Sequence, residues 1–268
     1  MSLLADLTAG AVEDAEARRA LRPLAEVESA AAAQAPALDV FAALRPADRV
    51  KIIAEVKRAS PSRGDLAAIP DPAHQAALYE QGGASAISVL TEQRRFKGSL
   101  ADLAAVKARV GVPVLRKDFV ATPYQVVEAR AAGADIVLLI VAALEQHVLE
   151  ELFSLTVSLG MTPLVEAHSA DEVARAAGLG ARLIGVNARD LSTFELDRDL
   201  FGRLVEGIPD GAVRIAESAV LEPADVAHYR AAGADAVLIG EALVTGDPVA
   251  TLGAFLAAGD APARKETA

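Results

Sequence analysis

Arg130-Ala131-Ala132-Gly133-Ala134-Asp135-Ile136-Val137-Leu138-Leu139-Ile140 is the stretch on which the fold turns. A short segment of helix formers ends in a glycine, the residue that most readily takes the left-handed turn closing a helix. Three residues later begins a run of five apolar β-formers with no polar face, the pattern of a parallel strand covered on both sides. The first six residues recur 100 positions further on as Arg230-Ala231-Ala232-Gly233-Ala234-Asp235, followed by Ala236 to Ile239. Gly83-Ala84 before Ala86 to Leu90, and Gly180-Ala181 before Leu183 to Val186, carry the same pattern. The four glycines stand 50, 47 and 53 residues apart.

Between these units lie further short apolar runs, Val112 to Leu115, Pro163 to Val165 and Val213 to Ala216, and Ile52 to Val56 precedes them all. The intervening segments have helical spacing and helix ends. Ser99 and Thr122 are expected N-caps, Pro123 suits a first helical position, and Ser169 with Glu172 has capping-box spacing. Eight alternating strand and helix units of about 25 residues predict an α/β fold, a (β/α)8 TIM barrel, which has no sheet edge and typically takes about 250 residues. An open doubly wound sheet is the alternative, but the residues after Val56 lack the Gly-rich turn such sheets use for nucleotides. Residues 1 to about 45 read as a helical N-terminal extension packed on the barrel, so residues 1–268 are expected to form a single TIM-barrel domain.

Composition narrows the function. The chain has 268 residues, 53% of them hydrophobic, and a formal net charge of −11, which disfavours phosphate-backbone binding, so no nucleic-acid partner is expected. No stretch reaches the roughly 20 apolar residues of a membrane span, and Met1 to Glu13 does not resemble a signal peptide. A cytoplasmic location and no membrane partner are therefore expected. The absence of cysteine removes thiol catalysis and thiolate metal sites. His74, His147, His168 and His228 lack metal-binding spacing and are expected on the surface or in loops, so no metal is expected. Tyr79, Tyr124 and Tyr229 are expected to pack on helices outside the mouth.

In such barrels the C-terminal strand ends converge on one mouth. Here they carry Glu55 and Lys57, Arg116-Lys117-Asp118-Phe119, Glu166, Asn187-Ala188-Arg189-Asp190, Glu217-Ser218, and Gly240-Glu241. A charge after one strand is commonly a solvated loop residue; six such ends directed at one cavity are not explained that way, and lysines and glutamates so placed can serve as general acids and bases. Ser218-Ala219 and Gly240-Glu241, at the last two strand ends, suit backbone N–H contacts to an anion, helped by a short helix at Glu241 to Val244. Asp118 either points into the mouth or braces its strand.

At these positions the chain resembles the indole-3-glycerol phosphate synthases from about Val50 to Ala257. The resemblance rests on Ile53-Ala54-Glu55-Val56-Lys57-Arg58-Ala59-Ser60-Pro61-Ser62, Phe96-Lys97-Gly98-Ser99, Val114-Leu115-Arg116-Lys117-Asp118-Phe119, Pro163-Leu164-Val165-Glu166, Ile184 to Leu191 and Ala216-Glu217-Ser218. It implies a cofactor-free carboxy-lyase of tryptophan biosynthesis that takes a phosphorylated small molecule, 1-(2-carboxyphenylamino)-1-deoxyribulose 5-phosphate, to indole-3-glycerol phosphate, carbon dioxide and water. By the same resemblance Lys117 is the general acid, Glu166 the base, and Lys57 a further catalytic residue. Glu55, Ser60, Phe96, Asn187, Arg189 and Glu217 bind the substrate, Phe96 against its aromatic ring and Ser60 and Arg189 at its carboxylate. Ser218, Ala219, Gly240 and Glu241 surround the phosphate. The resemblance is silent on association with other tryptophan-pathway enzymes.

Two positions depart from the family pattern. Ala219 stands where a glycine is common, and a left-handed backbone there would cost about 1 kcal/mol or more. Glu241 replaces a serine found in some members, and is expected to offer its backbone N–H while its carboxylate points away. The competing readings are another sugar-phosphate barrel such as phosphoribosylanthranilate isomerase, and a ligand-binding paralogue with weakened catalysis.

Overall fold

In the computed structural model, which describes residues 2–190 and 195–260, every apolar run named above contributes residues to a strand. In chain order the strands are β1 (Lys51–Val56), β2 (Ala59–Ser60), β3 (Gly64–Asp65), β4 (Ala86–Leu90), β5 (Val114–Lys117), β6 (Ile136–Ile140), β7 (Thr162–Ala167), β8 (Leu183–Asn187), β9 (Val213–Glu217) and β10 (Ala236–Ile239). All except β2 and β3 form a closed parallel barrel in which β10 pairs back onto β1. The helices are α1 (Leu3–Leu21), α2 (Leu24–Ala32) and α3 (Val40–Leu44), then α4 (Pro72–Gln81), α5 (Leu100–Lys107), α6 (Pro123–Ala131), α7 (Gln146–Ser158), α8 (Ala170–Gly178), α9 (Leu200–Leu204), α10 (Pro223–Ala231) and α11 (Pro248–Ala258), of which α4 to α11 each follow one barrel strand. The fold is the (β/α)8 barrel.

Two details differ from the sequence reading. The strand expected at Val112 to Leu115 begins two residues later and runs to Lys117, pairing Leu90 with Lys117. The residues after Val56 form a small antiparallel hairpin, β2 with β3, turned over Gly64 at φ +66°.

Local signals act as the residue types dictate. Ser99 Oγ accepts the Asp102 N–H at 3.0 Å, and Gln125 Oε1 accepts the Thr122 N–H at 3.1 Å to complete a capping box with Pro123 at the first turn. At Ser169 only half the box forms: its Oγ accepts the Glu172 N–H at 3.3 Å, while the Glu172 carboxylate accepts the N–H of His168, one residue before the cap. Gly133 and Gly233, at φ +91° and +102°, take the left-handed turn after α6 and α10.

Alternation along the strands separates two apolar layers. Ile136, Leu138 and Ile140 join Ile53, Leu115, Leu164, Leu183, Ile215 and Leu238 in the cluster filling the barrel, whereas Val137 and Leu139 belong to the layer under the outer helices. Continuing the inward parity toward the C-terminal ends gives Glu55, Lys117, Glu166, Asn187 and Glu217. The interior therefore changes from apolar to ionisable within one layer.

The N-terminal extension grips both ends of the barrel. Leu4 and Leu7 of α1 reach the mouth, and Val40 and Leu44 of α3 join the interior cluster with Ala86, Leu183, Val213 and Ala236, which lie at or near the N-terminal ends of their strands. The Arg182 guanidinium lies 3.9 Å from the centre of the Phe41 ring. The repeated motif holds the connecting segment: Arg130 donates to the Ala35 carbonyl, and Arg230 donates to the Ala47 carbonyl at 2.8 Å.

Candidate active site

The barrel mouth encloses a cavity of about 460 Å³, and all thirteen residues singled out in the sequence line it. Their placement follows from the strand ends: Glu55 and Lys57 from β1, Lys117 from β5, Glu166 from β7, Asn187 and Arg189 from β8, Glu217 with Ser218 and Ala219 from β9, and Gly240 with Glu241 from β10. Ser60 comes from the hairpin and Phe96 from the loop after β4.

At the centre stands the Lys117 ammonium, 2.7 Å from Glu166 Oε2 and 3.0 Å from Glu217 Oε2. Burial opposes its charge, but Glu166, Glu217 and Glu55 outweigh that and raise its pKa well above the usual lysine value, so Lys117 is held protonated. Burial likewise opposes ionisation of Glu166, yet Lys117 and then His168 pull it down to about 2. Glu217 goes the other way, to about 8, because burial and the charge of Glu166 outweigh Lys117. Two carboxylates around one ammonium thus divide the roles: Glu166 is ionised and Glu217 readily holds a proton.

Glycines make the room. A Cβ on Gly185 would lie 2.1 Å from Glu217 Oε1, and one on Gly240 would lie 2.6 Å from Glu55 Oε1 and 2.9 Å from Lys57 Nζ. Glu55 and Lys57 pair at 2.8 Å, and Ser88 Oγ donates to Glu55 at 3.3 Å.

Lys117 is also held from behind. Its neighbour Arg116 faces outward and is fully buried, donating to the Gln125 carbonyl at 2.7 Å, Asp118 at 2.9 Å and Glu128 at 3.2 Å. Arg18 of α1 grips the same Glu128 at 2.5 and 2.8 Å. Asp118 accepts from Thr91 Oγ1 at 2.5 Å and from the Phe119 N–H at 2.8 Å, so it braces its strand while touching the cavity. Phe96 leans on Phe119 with ring centres 6.1 Å apart, and its N–H, with those of Arg94 and Arg95, is held by the Glu92 carboxylate at 2.8 to 2.9 Å.

The expected anion cradle has distinct backbone geometry. Ser218 and Ala219 both take positive φ, +68° and +52°, and a 3₁₀ turn at Glu241–Leu243 follows Gly240. Ser218 Oγ donates to Asn187 Oδ1 at 2.7 Å, and the Arg189 N–H donates to the same oxygen at 3.0 Å. The Glu241 carboxylate pairs with Arg63 of the hairpin at 2.7 Å.

Several contributors escaped the sequence reading. Pro61, Ser62 and Arg63 form one wall, and Leu3, Leu4 and Leu7 another; the turn signal Pro-Ser-Arg-Gly at 61–64 was the available clue to the first. His168 is a loop residue as expected, but not a surface one: it sits in line with Glu166, two positions on, with its side chain 14% exposed. Leu191, at the end of one of the matching stretches, lies outside the described residues.

The sequence model of the family described as indole-3-glycerol phosphate synthase matches residues 4–252. The chain belongs to that family. Indole-3-glycerol phosphate synthase from Leifsonia xyli subsp. xyli is 73% identical over 255 residues, covering 95% of this chain and 98% of that protein. The synthases of Beutenbergia cavernae and Mycolicibacterium gilvum are each 58% identical, covering 98% and 97% of this chain and 98% and 96% of theirs. Among solved structures, an N-acetylmannosamine-6-phosphate 2-epimerase from Clostridium perfringens matches with TM-score 0.57 at 17% identity, covering 72% of this chain and 86% of that one. A thiamine phosphate pyrophosphorylase from Pyrococcus furiosus matches with TM-score 0.59 at 14% identity, covering 80% and 96%. At those identities the likeness concerns the barrel alone.

Proposed function

We propose that this member of the indole-3-glycerol phosphate synthase family carries out the family's decarboxylating ring closure in the mouth described above, with Lys117 as acid and Glu166 as base. The observation that carries the reading is the ammonium of Lys117, protonated and half-buried, in contact with an ionised Glu166 inside a cavity lined on one side by Phe96 and on another by the left-handed Ser218-Ala219 turn.

The chemistry runs as follows. The ring carbon bearing the carboxylate attacks the ketone carbon of the sugar chain; the carbon–oxygen π pair moves to oxygen, which takes the Lys117 proton. The bond to the carboxylate then breaks, its pair restores aromaticity, and carbon dioxide leaves. The new hydroxyl departs as water with a second proton from the recharged Lys117, while Glu166 removes a proton from the adjacent carbon to form the indole double bond; Lys57, paired with Glu55, meets the substrate's anions. Glu55, Asn187, Arg189 and Glu217 orient the substrate, and Ser60 with Arg189 takes its carboxylate. The backbone N–H groups of Ser218, Ala219, Gly240 and Glu241 take its phosphate, with the Glu241 side chain held aside by Arg63.

The whole chain acts as one unit in this account, because α1 supplies part of the mouth. A phosphorylated small molecule is the ligand, and a cytoplasmic location suits it; among the described residues no helix is long and apolar enough to cross a membrane. Incubation of the purified chain with the carboxyphenylamino-deoxyribulose phosphate should produce indole fluorescence that depends on Glu166. A Glu166→Gln variant that turns over at the parent rate would remove the base assignment.

A further inference from the structure

Proton bookkeeping for this reaction leaves the mouth one proton short after every turnover. The substrate carboxylate leaves as carbon dioxide without a proton, the ketone oxygen takes one on ring closure, and the departing hydroxyl takes another. Only one is returned, from carbon to Glu166. Direct transfer across the 2.7 Å contact recycles that proton to Lys117. The second has to come from solvent.

His168 is placed to deliver it. It follows β7 and stands outside the cavity lining, behind Glu166. Its Nε2 lies 3.5 Å from Glu166 Oε1, the oxygen that Lys117 does not use. That nitrogen is shielded from solvent and has no hydrogen-bond partner among the described residues. The opposite nitrogen, Nδ1, lies 3.3 Å from Glu172 Oε2, which also accepts the His168 N–H at 2.8 Å. Glu172 belongs to the first turn of α8, and its side chain is 19% exposed. Carboxylate, imidazole and carboxylate thus form a line from the reacting centre to the surface.

We propose that His168, held by Glu172, acts through Glu166 to carry one solvent proton per turnover back to the Lys117–Glu166 pair. In the transfer the Nε2–H bond breaks and an O–H bond forms on Glu166 Oε1; the neutral ring, still carrying Nδ1–H, then turns over so that its bare nitrogen reaches the Glu172 side and takes a proton from solvent. A modest ring rotation closes the 3.5 Å gap to hydrogen-bond distance. The groups facing the ring are Glu166 from its own strand, Glu172 from α8 and Glu217 from β9. Burial works against the imidazolium, but these carboxylates outweigh it and raise the pKa of His168 from its ordinary value, which favours the protonated ring.

This proposal rests on Glu166 acting as the base, which the Glu166→Gln variant tests on its own. The relay is tested with His168→Ala and His168→Asn, measuring kcat and KM in dilute buffer with and without added imidazole at fixed pH and ionic strength. The expected result is a fall in kcat of about tenfold with KM unchanged, smaller than the loss from removing the acid or base itself. Imidazole should restore kcat in a saturable way and leave the parent protein unaffected. Parent-like kcat in both variants would overturn the proposal. So would a loss of kcat that imidazole does not restore, or one that tracks a rise in KM and a fall in thermal midpoint.

Discussion

Lys117 and Glu217 end strands that stand 100 residues apart in half-barrels built to one plan. At the bottom the two units are nearly the same. The Val114 N–H donates to Asp135 Oδ2 at 2.8 Å and the Arg214 N–H to Asp235 Oδ2 at 2.9 Å, while each aspartate's own N–H returns to the strand carbonyl at 2.9 Å. Arg130 and Arg230 then hold successive parts of the N-terminal extension. At the top the units diverge: Arg116-Lys117-Asp118 is locked from outside by Thr91, Gln125 and Glu128, whereas Ala216-Glu217-Ser218 runs into two left-handed residues. The contrast shows that one backbone design places an ammonium and a carboxyl group 3.0 Å apart across the mouth, and that only the top layer of side chains decides the chemistry.

The likeness at the bottom breaks in one respect, which sets the largest expected stability difference. Asp135 also receives Lys107 Nζ at 2.7 Å and the Leu38 N–H at 2.9 Å, while Asp235 is buried and that burial pushes its carboxyl pKa up. Asp135→Ala leaves a partly buried ammonium and two N–H groups without their acceptor, and should cost about 3–5 kcal/mol in urea unfolding. Asp235→Ala should cost about 1–2 kcal/mol. Equal losses would show that the two halves bear the extension alike.

The contrast at the top is sharpened by pH. Folded Glu217 binds its proton up to about pH 8, whereas an unperturbed carboxyl releases it near 4.5. Between those values the folded state holds a proton that the unfolded state does not, so this group's stabilisation is present below about pH 4.5 and is lost as pH rises toward 8. Glu166, pulled down to about 2, contributes the reverse: its stabilisation is present above 4.5 and is lost as pH falls through 2. Glu217→Gln should flatten the decline in thermal midpoint between those limits by a few degrees. A profile parallel to that of the parent protein would place the perturbed carboxyl elsewhere.

The smallest effect concerns the β9 turn. Ala219 at φ +52° carries a side chain where glycine has no penalty, so Ala219→Gly should stabilise by about 1 kcal/mol without weakening inorganic phosphate binding. A loss of stability would show that the alanine methyl has a packing role there. Ser218 is left unchanged in this test because its hydroxyl holds Asn187.

The barrel was legible because its signals are local: a left-handed glycine after α4, α6, α8 and α10, a polar residue at the start of many helices, and apolar runs at nearly constant spacing. Strand parity then carries residues such as Lys117 and Glu166 inward, so their common cavity follows once the sheet closes. What the sequence concealed depends on contacts distant along the chain. Leu4 and Leu7 look like any apolar helix face until Arg18 reaches Glu128 and brings α1 over the mouth. The β2–β3 hairpin is two residues on each side, too short for a periodic signal. His168 was hidden for another reason: a lone histidine has no pattern, and only the line from Glu166 to Glu172 gives it one.

The central claim, that Lys117 is the proton donor to the ketone, is tested most directly by turnover of Lys117→Ala under saturating substrate, with substrate affinity measured separately by fluorescence. The account predicts kcat reduced at least about a hundredfold while affinity changes only a few-fold, the signature of a positioned acid. Turnover close to that of the parent protein would contradict it.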